Sequence, residues 1–288
     1  MAGPRGIEPL TYGLRVYDNL RFSSFPSLNW LEVREQFVQW LDNQGYNENW
    51  KYNMVNYLNR YMTVIRGPSD IIELFSKVKA AKRHVVFSLR TLFNFYEAIG
   101  YSEAQFDVLR KALPKTQCGR DLKIPSEQQI VDSLRKLSKA PVKYQALYNL
   151  LVDSGLRLVE ACELINNFKD GEALNGFYRC EVSMFRGEKQ AYYGHFTEKT
   201  MDLIKQVKDK LNYVTASSYY RKRDYVLAKY LRKFAFDKMI ELEVPESVAD
   251  FIEGRVPQRI GAKHYLALAR QSSKYYPRYQ AYIEKLKA

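Results

Sequence analysis

The chain has 288 residues, enough for two packed domains of ordinary size, and 46% of them are hydrophobic, which excludes general disorder. Lys and Arg outnumber Asp and Glu by 45 to 32, so the net charge is +13 at pH 7. Such a surplus favours a polyanionic partner. With no apolar run long enough to cross a bilayer and no secretory signal at its start, the sequence predicts no membrane association and a cytoplasmic location.

Cofactor motifs are missing from the sequence. The three cysteines and three histidines are dispersed, and no pair of them has the spacing of a metal site. An odd number of distant cysteines also indicates a reducing compartment. Neither GxGxxG nor GxxxxGK[ST] occurs, so no segment is typical of a nucleotide phosphate site. We therefore expect chemistry that uses no metal, nucleotide or other cofactor.

The first domain is predicted to be helical. Residues 1–26 carry Pro and Gly without apolar periodicity and are interpreted as an irregular arm. Asn29 with Glu32 then forms a capping pair, followed by apolar residues at helical spacing. Similar patterns continue to Leu113. Residues 27–114 are therefore predicted to form a small all-α domain.

A linker and a second domain follow. Residues 115–125 are polar and basic and are bracketed by prolines, which favours an exposed linker. Ser126 with Gln129 forms a capping box at the start of the second domain, 126–288. Two β-rich runs flank RGEK and predict a hairpin, whereas the chain from Thr197 onward is mostly helical. The predicted fold class is mainly α with one small antiparallel sheet.

Several cations of the second domain have notable positions. Arg157 follows a turn closed by Gly155 and precedes a helix, where an anion could bind, although a lone surface arginine is usually only solvated. Lys229 and Arg232 are three residues apart and share one helix face. The preceding segment adds Arg221, Lys222 and Arg223. Cations interleaved with aromatic residues favour nucleic-acid contact over a solvated basic face.

Two further positions gain meaning only in combination. Arg186 and Lys189 lie at the predicted hairpin tip, where a lysine is either surface decoration or long enough to reach a leaving group. Tyr265 follows Arg255 by ten residues. A lone tyrosine is usually packed, because a phenol has a pKa of about 10 and needs a strongly cationic pocket to act as a nucleophile.

The order of these motifs resembles that of the tyrosine recombinase (phage integrase) family. The motifs are GLR at 155–157, the hairpin lysine, KxxR at 229–232, GR at 254–255 and Tyr265. A lysine in the KxxR box and an arginine after the glycine make the chain most similar to archaeal viral and plasmid integrases of the fuselloviral type. The resemblance covers about residues 30–280 and implies a helical core-binding (SAM-like) domain followed by a mainly helical catalytic domain.

The resemblance also implies catalytic roles. Arg157 and Arg232 would hold the non-bridging oxygens of the scissile phosphate, and Arg255 would add a third donor. Tyr265 would attack phosphorus and expel a 5′-hydroxyl, leaving a 3′-phosphotyrosyl link. Lys189 would be the general acid, with Arg186 as the alternative.

The resemblance leaves two roles open for Lys229. The common family pattern has histidine at positions 229 and 255, whereas this chain has lysine and arginine. Lys229 would assist deprotonation of the tyrosine if crowding by three arginines depressed its pKa. The alternative is that Lys229 contributes only charge and hydrogen bonds.

Double-stranded DNA at attachment sites is the partner that the resemblance implies. In the N-terminal domain, Lys79, Lys82, Arg83 and Arg90 form a basic face suited to the second side of a DNA clamp. Similar recombinases act as homotetramers on two duplexes, and the free protein could still be a monomer. A C-terminal helix with Tyr275, Tyr279, Tyr282 and Leu286 at helical spacing packs either on its own domain or, as the resemblance favours, on a neighbouring protomer.

The expected function is therefore site-specific recombination that integrates or excises a mobile element. The codons possible for GIEP (6–9) are compatible with the complement of a tRNA T-loop, so the attachment site could overlap a tRNA gene; the alternative is a merely flexible arm. Two other readings stay open: a non-catalytic architectural DNA-binding protein, and a type IB topoisomerase.

Overall fold

The computed structural model describes residues 27–116, 119, 121–187, 189–257 and 267–288, apart from the side chain of Arg186. One compact unit ends at residue 120, and a second spans Asp121–Ala288. The division falls inside the segment interpreted as a linker. In the described ranges no helix combines the length and apolar character that a bilayer-spanning segment needs.

The described part of the first unit contains five helices: α1 (Trp30–Asn43), α2 (Glu48–Tyr61), α3 (Pro68–Lys77), α4 (Lys82–Ala98) and α5 (Glu103–Ala112). The predicted cap of α1 is confirmed. Asn29 Oδ1 accepts a hydrogen bond from the Leu31 amide at 3.2 Å, and the Asn29 side-chain amide donates to Glu32 Oε1 at 2.7 Å. Large buried rings, among them Trp30 and Phe37, form the core of this unit.

The prediction that this unit is all-α is wrong in one detail. Two short antiparallel strands, β1 (Leu28–Asn29) and β2 (Val64–Ile65), pair so that Leu28 lies opposite Ile65. Both side chains are buried. A strand of two residues shows no alternation in the sequence, so periodicity could not have indicated it.

The second unit is mainly helical with a small antiparallel sheet, which confirms the predicted fold class. Its helices are α6 (Glu127–Leu137), α7 (Val142–Ser154), α8 (Leu158–Asn166), α9 (Glu198–Lys205), α10 (Tyr213–Lys222), α11 (Ala228–Glu241), α12 (Glu246–Ile252) and α13 (Leu268–Lys287). The capping box of α6 is present: the Gln129 amide donates to Ser126 Oγ at 3.3 Å, and the Ser126 amide donates to Gln129 Oε1 at 3.0 Å.

The sheet of the second unit has the strand order β3 (Glu172–Leu174), β4 (Phe177–Arg186) and β5 (Lys189–Phe196). The β4–β5 hairpin lies where it was predicted, with Arg186 opposite Lys189. The third strand, β3, was not predicted because its three residues are too few to show alternation.

Helix α7 is the central helix of the second unit. Every side chain from Ala146 to Ser154 is buried, as expected for a helix enclosed by its neighbours. Gly155 then adopts the left-handed conformation, with a φ of +62°, and ends the helix. The chain therefore turns sharply just before Arg157.

The C-terminal helix α13 packs on its own unit, and its docking on a neighbouring protomer stays a prediction. Tyr276, Tyr279 and Ile283 are fully buried. The Tyr279 hydroxyl donates to the Val152 carbonyl at 2.8 Å, and that of Tyr276 donates to the Asp153 carbonyl at 3.1 Å. These carbonyls belong to the last turn of α7, where the helix itself offers no donor.

A buried ion pair ties the end of α13 to the same helix. Lys287 Nζ donates to Asp153 Oδ1, and both side chains are almost completely buried. The other carboxylate oxygen of Asp153 accepts from the Thr197 amide at 3.0 Å and from Thr200 Oγ1 at 2.6 Å. Both carboxylate oxygens of Asp153 are therefore engaged inside the core.

We predict that Lys287→Ala lowers the free energy of unfolding by on the order of 3 kcal/mol, because it removes one partner of a buried ion pair. Urea unfolding of the full chain measures this change. Lys285→Ala is the matched control, since Lys285 lies on the same helix and is exposed. Equal losses in the two variants would contradict the role given to the ion pair.

Candidate functional site

A surface cavity of about 670 Å³ in the second unit brings the predicted cations together. Its lining includes Arg157, Lys229, Arg232 and Arg255. They come from the turn between α7 and α8, from α11, and from the segment after α12. Side chains almost one hundred positions apart in the sequence thus meet in one concave surface.

Arg157 is held by hydrogen bonds on two sides. Its Nη1 donates to Glu160 Oε1 and to the carbonyl of Gly254, both at 2.8 Å. The other Glu160 oxygen accepts from the Arg157 amide at 3.0 Å. Glu160 is fully buried and was missed in the sequence, although a glutamate three residues after a helix-capping position is a recognisable capping signal.

Arg232 is the most buried of the cavity's arginines, with 8% of the residue exposed. Its Nη1 donates to the carbonyls of Gly155, at 2.9 Å, and of Glu253. Its Nη2 is buried and has no hydrogen-bond partner among the described residues. Burial lowers the pKa of Arg232 to about 10, so the guanidinium stays charged at neutral pH.

Arg255 is more exposed and lies between two acids. Its Nη2 is 3.0 Å from Glu253 Oε2, and its Nη1 is 3.7 Å from Asp250 Oδ1. The guanidinium also lies over the ring of Phe236, 5.0 Å from the centroid. These contacts turn it toward the same carboxylate that faces Arg232.

The glycines of the GLR and GR motifs are required by close packing. A Cβ on Gly155 would lie 2.7 Å from Glu253 Oε1. Gly254 has a φ of +74°, and a Cβ there would lie 2.9 Å from the Cβ of Ala191. Because both positions also need positive φ, the two glycines let the chain after α12 approach both α7 and β5.

Glu253 is a fully buried carboxylate between the arginines. Neither of its side-chain oxygens accepts a hydrogen bond from the described residues, although Arg255 and Arg232 lie 3.0 and 3.5 Å from Oε2. Burial raises its pKa to about 7 despite the nearby positive charges. Burial also raises the pKa of Asp250. Nothing in the spacing of the sequence indicated that these two acids would face the arginines.

A family profile for archaeal phage integrases matches residues 122–282, which is more than half of the chain. The chain belongs to the archaeal phage integrase family. No curated protein matches the sequence significantly.

Three solved structures also align with this integrase. An integrase from mycobacterium phage Brujita aligns at 12% identity and a TM-score of 0.40, covering 86% of this chain and 92% of that chain. A XerA recombinase aligns at 14% identity and a TM-score of 0.36, covering 85% of this chain and 97% of that chain. The third structure is the XerH site-specific recombinase bound to difH substrate in a pre-cleavage complex. It aligns at 15% identity and a TM-score of 0.36, covering 84% of this chain and 89% of that chain.

The surroundings of Lys229 in the integrase differ from those that were predicted to depress its pKa. Its pKa is raised, first by a hydrogen bond with Tyr230 and then by one with Asp121, so the predicted depression is wrong. Nζ lies 3.1 Å from Asp121 Oδ2 and 4.3 Å from the centroid of the Tyr230 ring. The nearest partners of the ammonium are thus oxygen and π acceptors, which favour its charged form.

Strand β5 of the hairpin begins beside the arginine cluster, which is defined as Arg157, Arg232 and Arg255. The backbone of Lys189 forms an isolated antiparallel bridge with that of Arg255, and its side chain is exposed. This pairing places the start of β5 next to one wall of the cavity. The predicted nucleophile Tyr265 and the side chain of Arg186 lie outside the described part of the chain.

The predicted DNA-binding cations divide between the two units. The four that belong to the first unit are all exposed: Lys79, Lys82, Arg83 and Arg90. In the second unit, Arg221 lines the cavity, whereas Lys222 and Arg223 are exposed at the end of α10. The Arg223 guanidinium lies 4.0 Å from the centroid of Tyr219, an arrangement that also suits stacking against other planar groups.

The charged side chains that line the cavity are all arginines and lysines, which as cations are unsuited to binding a metal ion. Across the described ranges, no group of three or more His, Cys, Asp or Glu side chains is arranged to bind one.

We predict that Glu253→Gln becomes more stable than the wild type as pH rises. The raised pKa means that the folded state binds a proton more tightly than the unfolded state between about pH 4.5 and pH 7. The contribution of Glu253 to stability is therefore lost across that window, and Gln cannot titrate. The stability difference should grow by on the order of 3 kcal/mol between about pH 5 and pH 8.

Thermal or urea unfolding at several pH values tests this sign. Glu246→Gln is the matched control, because Glu246 is an exposed carboxylate at the start of α12, the helix that ends just before Glu253. A Gln variant that is less stable than the wild type at about pH 8 would contradict the prediction.

Proposed function

We propose that this integrase cleaves and rejoins double-stranded DNA through a 3′-phosphotyrosyl intermediate at Tyr265. The observation that carries the proposal is the convergence of Arg157, Arg232 and Arg255 on one cavity. Charged donors fixed in advance around a concave site are what a pentacoordinate phosphorane requires. Tyr265 follows Arg255 by only ten residues, so the chain can bring it to this site.

The arginines would neutralise and orient the scissile phosphate. Arg232 supports this role best, because its Nη1 is engaged by main-chain carbonyls while its Nη2 has no partner in the described ranges. Such a donor gains a charge-assisted hydrogen bond when a non-bridging oxygen arrives. Arg157 and Arg255 would contact the same phosphate from the other sides of the cavity.

The chemical step is an in-line displacement. The phenolic oxygen of Tyr265 forms a bond to phosphorus as the bond from phosphorus to O5′ breaks, and Lys189 donates a proton to O5′. The phenolic proton leaves to solvent or to a base that has no assignment. The phosphotyrosyl ester conserves the bond's free energy, so attack by a 5′-hydroxyl rejoins the strand without ATP.

Lys229 would act as a fixed cation instead of a base. Its raised pKa keeps it protonated at neutral pH, which favours the second of the two roles considered for it. An ammonium at the rim of the cavity still lowers the free energy of a phenolate or a phosphorane nearby.

The wider assembly is part of the same proposal. The exposed cations of the first unit would form the second side of a clamp on duplex DNA, and four protomers would join two duplexes in the host cytoplasm. We further propose an attachment site within a tRNA gene, on the codons available to residues 6–9.

Replacing Tyr265 by Phe should abolish the covalent protein–DNA adduct and leave duplex affinity nearly unchanged, because backbone contacts by many cations dominate affinity. The substrates are nicked suicide duplexes that tile the ends of the mobile element and the host tRNA genes, and denaturing gels detect the adduct. Tyr213→Phe, at an exposed tyrosine, is the control. An adduct that persists in Tyr265→Phe would refute the assigned nucleophile.

The general acid can be identified with a 5′-bridging phosphorothiolate. We expect Lys189→Ala to slow cleavage of the normal substrate by roughly 10²–10⁴-fold and to be restored with sulfur as the leaving atom, since a thiolate departs without a proton. Lys208→Ala, at an exposed lysine, should behave as the wild type. Rescue of Arg186→Ala and not of Lys189→Ala would transfer the role to Arg186.

A further inference from the structure

The charge of the arginine cluster is unexpectedly balanced. Three carboxylates face the three guanidinium groups: Glu160, Asp250 and Glu253. With every group ionised, three positive and three negative charges sum to zero. Arg221, Lys229 and Lys233 also line the cavity and give it a positive surplus. An arriving phosphodiester nevertheless adds another negative charge beside the three carboxylates, so at least one of these acids is a candidate for losing its charge.

Two of the acids differ from Glu253 in their surroundings. Glu160 accepts hydrogen bonds from both the side chain and the amide of Arg157. Asp250 lies 3.7 Å from Arg255 Nη1 and retains some contact with solvent, and its carbonyl accepts from the Arg255 amide at 2.8 Å. Glu160 thus caps the start of α8, and the Asp250 carboxylate lies farther from the Arg255 guanidinium than that of Glu253 does.

Glu253 is different because its side chain is not needed to hold Arg157 or Arg232. Main-chain carbonyls do that: those of Gly155 and Glu253 accept from Arg232, and that of Gly254 accepts from Arg157. The carboxylate itself accepts no hydrogen bond from the described residues. A buried ionised group in this state is costly, and an amide of the same shape would pack equally well. The contribution of this side chain is therefore its charge.

We propose that Glu253 is the resident counter-ion of the arginine cluster and that it takes up a proton from solvent when a phosphodiester enters the cavity. The inference rests on the proposed function, since it concerns the same phosphate site. The proton adds to one carboxylate oxygen, and no other bond changes. The arriving phosphate replaces the carboxylate as the anion that neutralises Arg232 and Arg255.

The groups around Glu253 support proton uptake in the neutral range. It is faced by Arg232 from α11, by Asp250 and Arg255 at the end of α12, by Arg157 from the α7–α8 turn, and by Tyr279 from α13. Burial already brings the pKa of Glu253 to about 7, and a second anion nearby raises it further. Glu253 is thus a positioning residue that acts through the arginines and has no contact with DNA.

Sulfate is the probe, because it keeps its charge between about pH 6 and pH 8. Sulfate affinity is measured by calorimetry on the full chain at constant ionic strength, for the wild type, Glu253→Gln and the control Glu246→Gln. We expect the wild type and the control to bind sulfate roughly tenfold more weakly at about pH 8 than at about pH 6, since each unit of pH above the pKa reduces the protonated fraction tenfold. Glu253→Gln should differ by less than about twofold between the two pH values.

Two outcomes would overturn the inference: a wild-type affinity for sulfate that does not change with pH, or the same pH dependence in Glu253→Gln as in the wild type. The first outcome decides the matter even if the variant does not fold.

A second measurement separates this inference from the proposed function. The second measurement is the rate of adduct formation in a single turnover. Between about pH 6 and pH 8, the ratio of the Glu253→Gln rate to the wild-type rate should rise by the same factor by which the sulfate affinity of the wild type falls. If no adduct depends on Tyr265, the proposed function fails while the sulfate result still decides the role of Glu253. If the adduct forms but the two rates keep a constant ratio, the function stands and the inference is wrong.

Discussion

A buried guanidinium must be given acceptors for its hydrogen bonds, and this constraint organises the second unit. Arg232 meets it with the carbonyls of Gly155 and Glu253, and Arg157 uses the carbonyl of Gly254. These carbonyls follow the ends of α7 and α12, where helices leave acceptors unpaired and carry the negative end of their dipoles. Two helix ends thus supply the negative potential that makes burial of the cations tolerable.

The same end of α7 also receives the C-terminal helix. Its carbonyls at Val152 and Asp153 accept the hydroxyls of Tyr279 and Tyr276, and the Asp153 side chain holds Lys287. The position of α13 is therefore set against the helix that precedes Arg157. Core stability and site geometry depend on one helix end.

Much of this organisation could be predicted because its causes are local. The caps of α1 and α6, the β4–β5 hairpin and the positions of Arg157 and Lys229 follow from residue types at fixed spacing. Other features could not be predicted. The strands β1 and β3 are too short for a period, and the acceptors of Lys229 reversed the direction expected for its pKa. Its partner Asp121 is more than one hundred positions away.

The sequence by itself determined the helical character, the cationic surplus and the order of motifs that places this chain among the archaeal phage integrases. These properties depend on composition and on neighbours along the chain, which a sequence displays directly. Only the tertiary structure decided that Glu253 lies buried among three arginines and that α13 folds back onto α7. Burial and the distance between charges depend on which distant segments pack together, and both affect how strongly a carboxylate holds its proton.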